Sequence, residues 1–188
     1  RRLMLKSMLQ EAENAFRDGL YNEAVKLFQA VYAQGKADSG EFDEPLEPLA
    51  IQAMFRAADV LYTMLERSRG NNHHRSIDAF KTAVRIVEMN PKPEGDENSS
   101  SLESFIPHAK FRIARSYQKM QFHSEASQYF EQLRQQFPNS MEAVEAIFWK
   151  AVTQVDRRNW GQAIEDFKEY LRTSPAPKHL AVTHYKLA

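Results

Sequence analysis

Residues 111–138, FRIARSYQKMQFHSEASQYFEQLRQQFP, align without a gap with residues 148–175, FWKAVTQVDRRNWGQAIEDFKEYLRTSP, at a shift of 37 residues. The shift superposes Phe111 on Phe148, Ala114 on Ala151, Ala126 on Ala163, Phe130 on Phe167 and Pro138 on Pro175. One step further it puts Tyr185 and Ala188 in the series begun by Phe111 and Ala114. Independent positions that share one period mark an internal repeat. The template continues upstream. Gly19–Phe28 (GLYNEAVKLF) matches Gln121–Phe130 (QFHSEASQYF) and Arg158–Phe167 (RNWGQAIEDF), and Arg75–Ala83 is a further copy with Ser76 in the alanine place. The segments before these carry a small residue three after a bulky one: Leu9/Ala12, Phe55/Ala58, Phe111/Ala114, Phe148/Ala151 and Tyr185/Ala188.

Apolar residues recur at spacings of three and four, among Ala, Glu, Gln, Lys, Leu, Met and Arg. That predicts amphipathic helices of strong helix formers. Each repeat reads as a hairpin of two antiparallel helices, which approach closely only where side chains are small. The two alanines sit at the crossing, and the later Phe fills the gap toward the next hairpin. Pro138 ends a second helix because proline cannot donate to the helical ladder. Asn139 and Glu142 have the spacing of a capping box for the next helix. Two segments read as loops, Gly35–Pro48 and Pro91–Ser104, the second with two prolines and a serine run. A lone hairpin cannot bury its apolar face, so neighbours must stack. The expected organisation is one array over residues 1–188, with repeats at about 5–38, 47–91, 104–138 and 140–175 and a partial one at 177–188.

Composition narrows the function classes. The chain has 25 Lys plus Arg against 25 Asp plus Glu, so no basic surplus points to a nucleic-acid coat. It has no cysteine, which removes disulfides, zinc–thiolate sites, Fe–S clusters and cysteine nucleophiles together. None of its six glycines lies in a GxGxxG or GxxxxGK pattern, so the phosphate-cradling loops are missing. No apolar run reaches the ~18 residues of a membrane span. The opening Arg1-Arg2-Leu3-Met4 is no signal peptide, and a chain that does not start with methionine reads as trimmed, with any targeting segment lost.

The small and aromatic residues of the first helix, followed by Ala, Phe and Pro in the second, resemble the tetratricopeptide repeat over nearly the whole chain. There are departures. The first-helix Trp of that family is absent, Leu133 and Tyr170 stand in the late alanine place, and the second repeat has extra residues over Ser68–His74. The spacing of 37 also exceeds the ~34 of the standard repeat. Phe137-Pro138-Asn139-Ser140 before an alanine-rich helix is similar to bacterial envelope proteins of this type, such as the β-barrel assembly lipoprotein and the Tol-Pal coordinator. The resemblance implies an all-α fold, an α-solenoid whose hairpins wind a right-handed superhelix, with first helices lining a concave groove. It implies a non-catalytic scaffold that binds a protein or peptide there. It implies no cofactor, no nucleic acid and no small-molecule substrate, and favours the periplasm or envelope over the cytoplasm. The alternative is structural: self-association through the incomplete last repeat, or service as the targeting arm of a larger envelope assembly.

On this phase the groove would be lined by Phe55, Phe111, Phe148 and Tyr185, one turn on by Arg115 and Val152 beside Glu13 and Asp59, and then by Tyr62 and Gln118. Aromatics in such a row offer large contact area to a peptide. The competing reading is ordinary core, the usual fate of an aromatic stripe at helical spacing. The Lys and Asn clamp by which co-chaperones of this family hold a terminal carboxylate is absent. Arg67, Arg69, His73, His74 and Arg75 form a basic cluster that reads either as an anion contact or as a solvated loop. His73-His74 and His179/His184 lack metal-ligand spacing. Glu11, Glu13, Glu165 and Asp166 read as a solvated helix surface, and Trp149 and Trp160 as structural residues.

Overall fold

The structure, a computed structural model, describes residues 2–38, 47–68, 70, 72–89, 102–173 and 177–187. Among the described residues there are nine principal helices and no strand: α1 (Arg2–Arg17), α2 (Tyr21–Asp38), α3 (Pro48–Ser68), α4 (His74–Met89), α5 (Phe105–Lys119), α6 (His123–Gln136), α7 (Met141–Asp156), α8 (Trp160–Arg172) and α9 (Pro177–Leu187). The odd-numbered helices are the first members of the hairpins and the even-numbered helices the second. They fall into two compact units, Arg1–Ala109 and Lys110–Ala188.

In the first unit, α1 packs on α2, α2 on α3 and α3 on α4, with a further contact of α1 on α3. Its core holds Leu5 and Ala12 of α1, Ala24, Phe28 and Val31 of α2, and Ala53, Ala57 and Val60 of α3. Ala12 and Ala24, which the sequence pairs in the first hairpin, share this core. α3 has neighbours on several sides and buries a broad face, Ile51, Phe55, Ala57, Val60 and Leu61 among its buried residues, while Gln52, Arg56, Asp59 and Thr63 form a half-buried stripe. Helix α2 continues through Gly35 to Asp38, which corrects the loop expected from Gly35. The reason is packing: the bare Cα of Gly35 lies against Ala50, and a Cβ there would collide with the Ala50 methyl. The second expected loop lies outside the described residues up to 101.

In the second unit, α6 packs on α7 and α7 on α8. One core cluster joins Ala114 of α5, Ala126, Phe130 and Leu133 of α6, and Ala146 of α7. Phe130 thus fills the gap toward the next hairpin. A second cluster joins Ile147, Phe148 and Ala151 of α7 to Ala163, Phe167 and Tyr170 of α8. α6 ends at Gln136, before Phe137-Pro138, with the Phe137 N–H donating to Leu133 O at 2.9 Å. The cap of α7 is a correction: Ser140, not Asn139, is the N-cap, and its hydroxyl accepts from the Ala143 N–H at 3.1 Å. Ser140 has the extended backbone that an N-cap needs, with ψ 150°.

Candidate functional site

The side chains of interest stand on the first helices, one and four positions after each bulky residue of the repeat. In the first unit, Glu13 follows Ala12 on α1 and Arg56 follows Phe55 on α3. Arg56 donates through Nε and Nη2 to the two Glu13 carboxylate oxygens, both at 2.6 Å. Its guanidinium also lies 5.5 Å from the Phe16 ring centroid and 6.0 Å from that of Phe28. The Glu13 hydrogen bond pushes the Arg56 pKa up; burial opposes this, and the charges of Glu13 and Asp59 add to it. One turn on, Asp59 meets the Nε2 of His108, from α5, at 2.9 Å. The ring of His108 stands edge-on to Phe80, 6.5 Å between centroids. A row of four polar side chains therefore crosses α1, α3 and the start of α5.

The second unit repeats the arrangement with different chemistry. Arg115 follows Ala114 on α5, and Trp149 follows Phe148 on α7. The Arg115 guanidinium carbon lies 3.2 Å from the Trp149 ring centroid. Its Nη1 donates to Gln118 Oε1, and Gln118 Nε2 donates to the Trp149 carbonyl at 3.4 Å. Gln118 is itself buried at 7% exposure. The same two repeat positions thus meet in both units, as Glu13 with Arg56 and as Arg115 with Trp149.

The expected groove residues divide in two. Phe55 is 2% exposed and stacks on Phe105 at 5.4 Å, and Tyr62 is 4% exposed against His73. Phe148 is 3% exposed, stacked on His179 at 4.1 Å and enclosed by Trp149, Phe167 and Tyr170. These three side chains are interior. Half-buried Phe111 packs on Phe130, and half-buried Val152 packs against the α7–α8 core. Arg115 and Gln118 are brought together over Trp149, while Tyr185 is 79% exposed on α9.

Several readings from the sequence are corrected. The basic cluster is not one patch: His73 is fully buried, and Arg67 lies over the Tyr21 ring at 5.4 Å. Arg69 lies outside the described residues. Asp166 is not a surface carboxylate; it is 2% exposed, accepts from Gln162 at 3.0 Å and faces Lys150 Nζ at 3.7 Å. Trp160, expected to be structural, is 58% exposed at the start of α8. Sequence reasoning misses Arg56, His108 and the stacking role of Trp149. Their signal is available: Arg56 and Trp149 hold the same repeat position beside Phe55 and Phe148. Among the described residues, no three His, Asp or Glu side chains converge as metal ligands.

Comparison with known proteins bears on the fold. Residues 108–140 match the family model of the tetratricopeptide repeat. No curated protein matches the chain. Among solved structures, BtubC (BKLC) from P. vanneervenii is similar at a TM-score of 0.64 and 14% identity, over 94% of this chain and 67% of that one. A single-substitution variant of a Podosopora anserina kinesin-light-chain-like protein with nearly identical TPR-like repeats is similar at a TM-score of 0.62 and 16% identity, over 98% of this chain and 83% of that one. The fold is therefore all-α, of the tetratricopeptide-like helical-repeat solenoid class.

Proposed function

We propose that the chain is a non-catalytic interaction scaffold that holds a peptide or protein segment against the exposed edges of its first helices. The observation that carries this reading is the set of half-buried charged and aromatic side chains that bridge neighbouring first helices within each unit: Glu13 to Arg56, Asp59 to His108, Arg115 to Trp149. Each is held by a partner on the next helix, so little side-chain freedom is lost when a ligand arrives. Phe111 and Val152 add apolar area in the second unit. Phe148 packs edge-on against the Trp149 ring, 5.1 Å between centroids. The family match over residues 108–140 supports the same reading, since repeats of this type commonly carry protein contacts. Selection of random displayed peptides on the immobilised chain tests it. Enrichment of a consensus that binds the folded chain supports the scaffold; no enrichment with helicity intact overturns it.

One observation favours a second reading, self-association. In the second unit, Trp160 (58%) and Ile164 (40%) on α8 and Val182 (43%) and Tyr185 (79%) on α9 are exposed apolar side chains. Light scattering over a concentration series separates the two readings, because a monomer at every concentration removes the second.

A further inference from the structure

Helix α9 is seated on the second unit by a narrow face. His179, Thr183 and Leu187 fall at i, i+4 and i+8. Thr183 is fully buried, its hydroxyl donating to the His179 carbonyl at 2.8 Å, and Leu187 packs against the α7–α8 core. The His179 ring enters a wall of aromatics. It stacks on Phe148 at 4.1 Å and 12°, meets the Trp149 ring at 80° and 5.8 Å, and lies 6.2 Å from the Tyr170 ring. Its Nε2 is 3.8 Å from Glu145 Oε2, and the His179 side chain is 13% exposed.

The first unit makes the same contact with a different ring. Phe105 at the start of α5 stands two repeat periods before His179. It stacks on Phe55, the repeat equivalent of Phe148, at 5.4 Å and 20°. A phenyl ring in this place gains stacking and burial and is indifferent to pH. An imidazole is more polar and gives up part of that gain. What it acquires is a charge in the pH range where histidine titrates. As imidazolium it is attracted by the ring faces around it and pairs with Glu145. The titratable groups facing it are Glu145 of α7, with half-buried Glu142 one turn earlier, and Tyr170 of α8. Arg115 of α5 reaches the Trp149 ring, and His184 and Lys186 of α9 itself are exposed. Burial opposes the charge, and the carboxylate and the three rings act together against that cost.

We propose that His179 is a proton-operated clasp: its imidazolium, held by the aromatic wall and Glu145, fastens α9 to the second unit, and loss of the proton loosens the helix. The protonated form is favoured by docking, so its contribution is whole below the ordinary histidine pKa of about 6.5 and is lost as pH rises through the value of the docked ring. Val182 and Tyr185 are exposed on the same helix, and the clasp governs how firmly they are presented. It acts within the chain and does not depend on the scaffold reading.

Hydrogen exchange on the whole chain tests it, read as protection factors, which remove the intrinsic pH dependence of exchange. The α9 amides should be about threefold to tenfold better protected near pH 5.5 than near pH 8, while those of α7 change little. His179→Phe, patterned on the Phe105 contact, should hold α9 at both pH values and abolish the difference. Glu145→Gln should shrink it, and His184→Gln, at an exposed site on α9, should leave it unchanged. A second measurement needs no variant: by NMR the His179 ring should titrate at a higher pH in the folded chain than in the same chain unfolded in urea. Equal protection at both pH values, better protection near pH 8, a difference that survives His179→Phe, or a ring that titrates at or below its unfolded value overturns the proposal.

Discussion

Gln121 and Arg158 stand 37 residues apart in the same left-handed backbone conformation, at φ 64° and 59°. Each is the hinge of a hairpin, α5 to α6 and α7 to α8. Gly19, at φ 80°, holds the same place between α1 and α2. The hydrogen bonds repeat as well: Leu20 N–H to Ala15 O, Phe122 N–H to Tyr117 O and Asn159 N–H to Gln154 O, each at 2.9 Å. This is the Schellman termination, whose αL residue is usually glycine because any Cβ is strained there. Both Gln121 and Arg158 are exposed, so their side chains do not compensate through packing. Gln121→Gly and Arg158→Gly should each stabilise the chain by about 0.5–1 kcal/mol, the strain relieved exceeding the unfolded-state entropy added. Thermal unfolding followed by circular dichroism should show a rise of about 2–4 °C per kcal/mol. Gly19→Ala should move the midpoint the other way.

Phe148 and Tyr185 are repeat-equivalent and opposite in surroundings, at 3% and 79% exposure. Phe148 is enclosed by the rings of Phe167, Tyr170 and His179. Phe148→Ala should therefore cost about 3–5 kcal/mol, transfer and cavity terms together. Tyr185→Ala should change stability by less than about 0.5 kcal/mol, as expected of an exposed site. Chemical denaturation of the two variants checks the pair. Comparable losses would show that Tyr185 is covered in solution, which would favour self-association.

The hairpins are legible in the sequence because close helix crossings demand small residues, and Ala12, Ala24, Ala114, Ala126, Ala151 and Ala163 record that demand at fixed spacing. Phe130 and Pro138 are legible for similar local reasons. The site is less so. Repeat phase identifies which positions face a neighbouring first helix, but two residues sharing a row can sit at different depths. Phe55 and Phe148 turn inward, while Arg56 and Trp149, one residue later, meet the charged or cationic group of the preceding first helix. Asp166 escapes because phase alone cannot show that Lys150 of α7 reaches across to it. The Ser140 cap differs from expectation by one residue, since Asn139 and Ser140 are both good capping types and backbone ψ decides between them.

Glu131 should make the second unit sensitive to acid. Its carboxyl is held below its ordinary pKa of 4.5, chiefly by the hydrogen bond from Lys150; desolvation opposes this, and the charges of Lys150 and Arg134 and a hydrogen bond from Gln135 assist. A group with a depressed folded-state pKa contributes stability above its unfolded pKa and loses it as pH falls through the folded value. The stability gap between the wild type and Glu131→Gln should be constant near neutrality and close progressively below about pH 4.5. Urea titrations at a series of pH values measure the gap. A gap that widens on acidification would contradict the assignment. Lys150→Met should cost more than Glu131→Gln at neutral pH, because it also removes the cation facing Asp166, which is 2% exposed.

Arg56 joins two kinds of interaction that a double-mutant cycle can separate. Its two donors meet Glu13, and its guanidinium carbon lies 5.5 Å and 6.0 Å from the Phe16 and Phe28 ring centroids. The side chains of Arg56 and Glu13 are 29% and 28% exposed, so solvent weakens the ion pair without cancelling it. Glu13→Gln should cost about 0.5–1 kcal/mol, and Arg56→Ala about 1–2 kcal/mol because the ring contacts are lost as well. The coupling energy from the double mutant should come to less than the full Arg56→Ala loss, the remainder being the contribution of the rings. Arg56→Lys should recover little, since an ammonium lacks the planar fork that meets both carboxylate oxygens of Glu13. Full recovery by lysine in chemical denaturation would reduce the contact to a simple charge attraction and remove the geometric basis for treating this row as preorganised.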